Sequence, residues 1–328
     1  MTTNDESPES QSALRVVRLT DRFRPGRPVV ACLSAFDGVH RGHRAMLREL
    51  QRVADERDAV VGLLMVEGGV HYRARMLTAL DHRIELIDQL GIVDVIWVVP
   101  DEVHERPEAV VGDALDDVRP VALGVSPALL KLGRSQQLSF ADLEMLCKGR
   151  HIDVFSLDHV LPGHSEDAIR LFTTRNISDL LADGHVAVAG RLLGRLFEMR
   201  GEVEHGDDRG RSLGFPTANL SVHTTMLIPD EGVYAGVAIT EDGRVWPAAI
   251  SLGRRSTFYE DGWEVLEAYL LDFDEDLFGS RLRVLFAEHL RKQRRFDSAD
   301  ELVAQIRIDV ALVRELDPIA RYQRSLAW

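Results

Sequence analysis

Gly206-Asp-Asp-Arg-Gly-Arg-Ser-Leu-Gly-Phe-Pro-Thr-Ala-Asn219 is the most informative stretch of this 328-residue chain. Its glycines at 206, 210 and 214 allow sharp turns and bring backbone N–H groups close to phosphate oxygens. Thr217 and Asn219 are two residues apart, so on an extended strand both side chains lie on one side. A hydroxyl and an amide oxygen presented together suit a Mg²⁺ ion that keeps several waters while bridging phosphates. The glycines alone read first as a Gly-rich hairpin with a Pro turn, since such loops are common.

Downstream of this run the pattern is that of strands. Val233, Ala235, Val237 and Ile239 share one face of an alternating segment, and Val245–Ile250, Val265–Leu271 and Arg281–Phe286 follow between Gly and Asp turns. Short successive strands without helices between them predict a compact antiparallel β-barrel. A terminal helix is expected from about Ser298, which stands at capping-box spacing from Glu301. Leu302, Ile306, Val310, Val313 and Leu316 form its inward stripe.

Upstream the texture differs. Val29–Leu33, Val60–Val66, Val93–Val99, Val121–Val125 and Ile152–Leu157 read as buried strands. Between them Arg44–Ala54, Leu80–Leu90, Ala109–Val118 and Phe140–Leu146 carry apolar residues at helical spacing. Such alternation predicts an α/β domain of Rossmann type with a parallel sheet covered on both faces. A helical segment, about Ile177 to Leu196, leads out of it. The expected organisation is a disordered tail over 1–14, the α/β domain over 15–184, a linker over 185–200 and the barrel domain over 201–328.

Bulk properties exclude several functions. A formal net charge of −14 opposes nucleic-acid binding, which depends on neutralising phosphates with Lys and Arg, but allows one small anion in a local pocket. Cys32 and Cys147 are the only cysteines and cannot build a disulfide framework, which suits a reducing interior. The Ser- and Glu-rich start does not resemble a signal peptide, and no apolar run approaches the roughly 18–20 residues of a membrane span. A cytoplasmic protein acting on small molecules is expected. Its three lysines, Lys131, Lys148 and Lys292, form no Walker A sequence, so any kinase here needs another phosphate cradle.

The run Arg209 to Leu220 resembles the signature of riboflavin kinases. The likeness continues through Gly232-Val-Tyr-Ala235, Glu267-Ala-Tyr-Leu-Leu-Asp-Phe273, Asp276-Leu-Phe-Gly279 and Arg291 to Phe296. It implies that Thr217 and Asn219 ligate Mg²⁺ with ATP phosphates, and that Glu267 takes the proton of the ribityl 5′-hydroxyl. Gly206, Gly210, Arg211, Gly214, Phe215, Pro216 and Arg291 are the implied contacts to ATP and flavin. Ser251 and Ser256 stand where such kinases usually have Asn and Pro.

In the N-terminal half, strand Val29–Leu33 runs into Phe36-Asp-Gly-Val-His-Arg-Gly-His43 and then a helix. A strand–loop–helix start exposes backbone N–H groups to phosphates, and His40 and His43, about one helical turn apart, can face one anion. No further ligands cluster to make them a metal site. The pattern resembles the nucleotidyltransferase half of bacterial bifunctional riboflavin kinase/FMN adenylyltransferases, implying nucleotide contacts from Phe36, Asp37, Gly38, His40, Gly42 and His43.

This half departs from that family in four places. Ser34-Ala35 replaces Gly-Asn, and Leu64 to Val70 lacks the Thr-Phe-Asp-Pro-His-Pro segment. Gly124 to Gly133 lacks two Phe, and Thr173-Thr-Arg-Asn-Ile-Ser178 stands for Ser-Ser-Thr-Arg-Ile-Arg. The resemblance therefore implies a riboflavin kinase, using ATP, riboflavin and Mg²⁺, fused to a half with weak or lost FAD synthesis. Open alternatives are a fully bifunctional enzyme, a nucleotide- or flavin-sensing module, and transfer to another acceptor.

Overall fold

The computed structural model describes residues 13–68, 75–127, 130, 132–133, 137–160, 171–206, 210, 213–254 and 264–326. The chain divides into two compact units at Thr173/Thr174. Most of the expected tail, residues 1–12, lies outside the described residues.

The first unit holds a six-stranded parallel sheet in the order β1-β4-β3-β2-β5-β6. Its strands are β1 (Arg15–Arg18), β2 (Val29–Ser34), β3 (Val60–Val66), β4 (Val95–Val99), β5 (Ala122–Val125) and β6 (Asp153–Ser156). The helices α1 (Arg41–Asp55), α2 (Leu80–Asp88), α3 (Pro107–Val118) and α4 (Phe140–Lys148) fall where the apolar periodicity predicts them. Strand β1 has no sequence signal: its four residues are largely exposed, and it is fixed by pairing with β4. Val29, Ala31 and Leu33 share a core with Val111 and Leu115 of α3 and with Leu143 and Cys147 of α4. Burial pushes the Cys32 thiol up to about 12, so this cysteine is a small core hydrophobe.

The chain runs from β2 to β3 and β4 on one side, then returns to place β5 and β6 on the other. The strand order thus reverses between β2 and β5. In open α/β sheets ligands bind outside the carboxyl ends of the strands at such a point.

The second unit is a closed barrel, β10-β11-β8-β7-β12-β9, with antiparallel pairs throughout. It is built from β7 (Phe197–Glu204), β8 (Ala218–Ser221), β9 (Gly232–Ile239), β10 (Val245–Arg254), β11 (Glu264–Leu270) and β12 (Arg281–Arg291). Among the described residues its helices are α5 (Thr174–Ala182), α6 (Val186–Leu193), α7 (Ala299–Leu316) and α8 (Pro318–Ser325). The alternating face of β9 points outward: Ala235 packs with Val313 of α7, while Val237 and Ile239 pack with Ile319 and Tyr322 of α8. Tyr234, Gly236 and Ala238, on the opposite face of the strand, are buried as well. Ser298 caps α7 by accepting from Glu301 N at 3.2 Å.

Two boundaries differ from the sequence reading. The helical segment expected over about Ile177–Leu196 is two helices, broken at Gly184, whose φ of 77° suits glycine. The stretch expected as a linker, 185–200, holds α6 and the start of β7, with Val186, Ala189 and Leu193 buried. Burial of these apolar side chains makes it part of the barrel unit, and the division falls earlier, at Thr173.

Candidate active site

On the barrel, Asn219 of β8 and Glu267 of β11 are directly opposed partners in the antiparallel ladder. Leu266, Ala268 and Leu270 fill the buried side of β11, so alternation turns Glu267 outward with Asn219. Both line a cavity of about 980 Å³ on the barrel wall. Its walls include Thr217, Phe215, Pro216, Gly206 and Gly210 on one side and Phe296, Leu302 and Ile306 on another. That volume suits a ligand the size of a cofactor.

The glycine loop is shaped by its lack of side chains. A Cβ on Gly206 would overlap the Asn219 amide, and one on Gly210 would overlap the Phe215 carbonyl and crowd Thr217 Oγ1 at 3.2 Å. Phe215 N and Leu213 N both donate to Gly210 O, at 2.8 and 3.1 Å, and Gly214 makes the turn with φ 84°. Phe215 meets Tyr269 edge-on at 5.4 Å between ring centres. Arg211 lies outside the described residues.

Asn219 Oδ1 is buried and has no hydrogen-bond partner among the described residues. A buried amide oxygen left unpaired costs about 1–3 kcal/mol unless a ligand satisfies it. With the Thr217 hydroxyl on the same cavity wall, this donor set suits a hard cation that keeps its remaining waters. The residues therefore fit Mg²⁺.

Arg291 reaches the same cavity, but its guanidinium is engaged within the protein. Nη2 donates to Asp309 Oδ2 at 2.8 Å, Nε lies 3.1 Å from both carboxylate oxygens, and Nη1 donates to Lys292 O at 3.1 Å. Asp309, on α7, is buried and also accepts from Gln305 Nε2 at 2.8 Å. This network ties the helix wall of the cavity to β12. Sequence reasoning missed Asp309, although an acid within the apolar stripe of α7 is a legible anomaly. It also missed the His205–Phe278 stack, 3.7 Å between ring centres, both residues lining the cavity.

In the first unit, Phe36 to His43 follow β2 at the point where the strand order reverses. Phe36 and Gly38 adopt positive φ, 52° and 81°, which folds the loop over the strand end. The Asp37 carboxylate is held inside this loop, accepting from Leu77 N at 3.1 Å and from Thr78 N and Oγ1 at 2.9 Å. Burial raises its pKa, opposed by the Arg83 guanidinium and these hydrogen bonds. Gly38 N donates to Thr78 Oγ1 at 2.8 Å, so Asp37 and Thr78 together set the loop shape. Thr78 carries no local signal that would have disclosed this role.

His40 is the N-cap of α1, its Nδ1 accepting from His43 N at 3.3 Å. The two imidazoles stack, 3.7 Å apart and 15° from parallel, with Phe36 5.1 Å from His43. Gly42 is buried in the first turn of α1. No acid occupies that turn, whereas Arg41 and the buried Arg44 do. Burial first, then Arg48 and Arg41, push the Arg44 guanidinium down to about 10. A positive helix N-terminus crowded with cations is arranged for an anion.

Neither arginine that the resemblance implies is present in Thr173 to Ser178, where Asn176 and Ser178 stand at those positions and Arg175 is one position away. Arg175 is exposed near the start of α5, and Ser178 Oγ donates to the Thr174 carbonyl at 2.9 Å. Residues 69–74, 128–129 and 255–260, which hold parts of the other departures and Ser256, lie outside the described residues.

Comparison with known proteins places these two sites in a common context. A riboflavin kinase family model matches residues 193–316, and an FAD synthetase model matches residues 24–163. Bifunctional riboflavin kinase/FMN adenylyltransferases are similar along most of the chain. That of Listeria monocytogenes is 30% identical, covering 88% of this chain and 92% of its own. That of Escherichia coli K12 is 31% identical (89% and 93%), and that of Pseudomonas fluorescens 32% (92% and 98%). A crystal structure from Streptococcus pneumoniae, described as a macrolide-efflux protein, has TM-score 0.76 at 22% identity, covering 92% of this chain and 99% of that one. That likeness establishes the fold alone; among the described residues no helix is long and apolar enough to cross a membrane. With a kinase-type barrel, a nucleotidyltransferase-type sheet and relatives of this kind along its length, the chain belongs to the bifunctional riboflavin kinase/FMN adenylyltransferase family.

Proposed function

We propose that this chain transfers the γ-phosphoryl group of ATP to the 5′-hydroxyl of riboflavin, giving FMN and ADP. The carrying observation is the cross-strand pair of Asn219 and Glu267, with the Asn219 amide oxygen buried and, among the described residues, unpartnered. Thr217 and Asn219 would hold Mg²⁺, which when bound offsets the charge of the phosphate oxygens. Glu267 accepts the 5′-hydroxyl proton as that oxygen bonds to the γ-phosphorus, and the bond to the β–γ bridging oxygen breaks to release ADP. A positioned base of this kind contributes about 10²–10⁴ in rate. The glycines at 206, 210 and 214 let the backbone approach the phosphates where a Walker lysine is missing.

For the N-terminal unit we propose nucleotide binding at His40 and His43 with weak or absent adenylyl transfer to FMN. The binding half of this reading rests on the loop at the strand-order reversal and on the cationic start of α1. The weakness rests on Asn176 and Ser178, uncharged where the family has paired arginines. Always-charged bidentate donors clamp a triphosphate in a way imidazoles do not replace. A second reading, full bifunctionality, is favoured by the intact His40–His43 stack and by the activities for which the relatives are named.

The test is one incubation of the full chain with riboflavin, ATP and Mg²⁺, resolving FMN from FAD by chromatography. FMN without appreciable FAD is expected. A folded protein that makes no FMN refutes the kinase assignment, and robust FAD abolished by His43→Ala establishes the second reading.

A further inference from the structure

The row across the barrel wall that contains Asn219 and Glu267 continues to a residue with no assigned part. Ser251 of β10 is the direct partner of Glu267, and Val233 of β9 is the direct partner of Ser251. Opposed residues in an antiparallel ladder share a face, with Cβ atoms about 4.5–5.5 Å apart. The outward order is therefore Asn219, Glu267, Ser251, Val233, and all four line the cavity.

That order has a chemical direction. Asn219 marks the phosphate end and Glu267 the reacting 5′-hydroxyl, so the rest of the substrate must leave on the Ser251 side. Past Ser251 the row reaches Val233 and then Arg291, whose guanidinium is taken up by Asp309, and Ala249, Leu302 and Ile306 add apolar wall to the same cavity. A flat tricyclic ring suits that end, and the polyol chain joining ring to phosphate must then pass Ser251.

Ser251 is also oriented. Gln293 Nε2 donates to Ser251 Oγ at 2.9 Å and to the Leu252 carbonyl at 3.0 Å. An amide nitrogen can only donate, so the serine oxygen is the acceptor in this contact. No described residue accepts the serine proton, and Ser251 is the cross-strand neighbour of Glu267 on the cavity wall.

We propose that Ser251, held by Gln293, donates a hydrogen bond to the 4′-hydroxyl of the ribityl chain and so seats the adjacent 5′-hydroxyl against Glu267. This rests on the kinase reading above. It makes Ser251 a specificity-determining residue for the polyol and Gln293 a positioning residue acting through it.

The experiment compares riboflavin with 4′-deoxyriboflavin, each with ATP and Mg²⁺, by kcat/KM of the full chain. One neutral hydrogen bond corresponds to roughly a three- to tenfold preference for riboflavin in the unaltered protein. S251A should bring the ratio to about one by weakening riboflavin alone, and Q293L should lower it part of the way. S251T keeps a hydroxyl and should preserve the preference, while its isostere S251V should abolish it; this pair serves if S251A does not fold. No preference in the unaltered protein, or the same ratio in S251T and S251V, overturns the inference while leaving the kinase reading intact. Absence of FMN from riboflavin removes both.

Discussion

Removing the Arg291–Asp309 pair tests how the helix wall of the cavity is held. The two side chains are 20% and 4% exposed, so the contact is largely withdrawn from water. Arg291→Met strips the carboxylate of its bidentate partner and leaves it the Gln305 amide. Breaking one side of a buried pair costs about 3–5 kcal/mol. The surviving Gln305 bond and the partial exposure of Arg291 place this variant near the lower end, about 3 kcal/mol. At about 2–4 °C per kcal/mol for a unit of this size, the barrel transition should fall by roughly 6–12 °C. The double variant R291M/D309L leaves no unpaired charge and should recover most of that loss, because apolar replacement of a buried pair is often near neutral. Scanning calorimetry of the full chain reads both effects, with the first unit's transition as internal reference. FMN formation by the double variant should stay within about tenfold of the parent, since the guanidinium is engaged with Asp309 and the Lys292 carbonyl. An R291M protein as stable as the parent would refute the electrostatic reasoning. A stable double variant that has lost activity by 10²-fold or more would return Arg291 to ligand binding.

Other expectations concern the two sites directly. Glu267→Gln keeps size but removes proton acceptance, so kcat should drop by about 10² or more with little change in riboflavin KM; a pure KM effect refutes its role as base. Asn219→Ala should raise the Mg²⁺ concentration needed for half-maximal FMN formation while the barrel transition stays put or rises, because an unsatisfied buried oxygen is removed; an unchanged Mg²⁺ requirement speaks against the ligand assignment. Restoring arginine at Asn176 and Ser178 together should raise FAD formation from FMN and ATP by on the order of 10², the value of one charge-assisted donor in a transferring phosphate site. If the repaired chain makes no more FAD than the parent, the displaced arginines are not what limits it.

Features carried by local geometry were legible in the chain itself. The periods of α1 to α4, the strict alternation from Val233 to Ile239 and the Ser298 cap follow from the 3.6- and 2-residue repeats of helix and strand. The glycines of the Gly206–Asn219 and Phe36–His43 runs likewise marked turns, with positive φ at Gly214 and Gly38. Local signals misled where burial was decided elsewhere. The stretch 185–200 reads as a connector, yet α6 is packed because its apolar side chains find the barrel. Strand β1 exists only through its pairing with β4.

The tertiary structure alone decided which side chains meet. Asn219, Glu267 and Ser251 lie on three strands, and their alignment is a matter of ladder register, which a slip of one residue would turn to the opposite face. Register is fixed by the summed packing of the whole barrel, not by any residue near these three. The same holds for Arg291 with Asp309 and for Asp37 with Thr78: each pair is remote in sequence, and each side chain taken alone is an ordinary polar residue. The chain by itself thus determined two domains and their classes. Folding decided that Asp37 and Arg291 are held by internal partners, and that Asn219, Glu267 and Ser251 stand in one row.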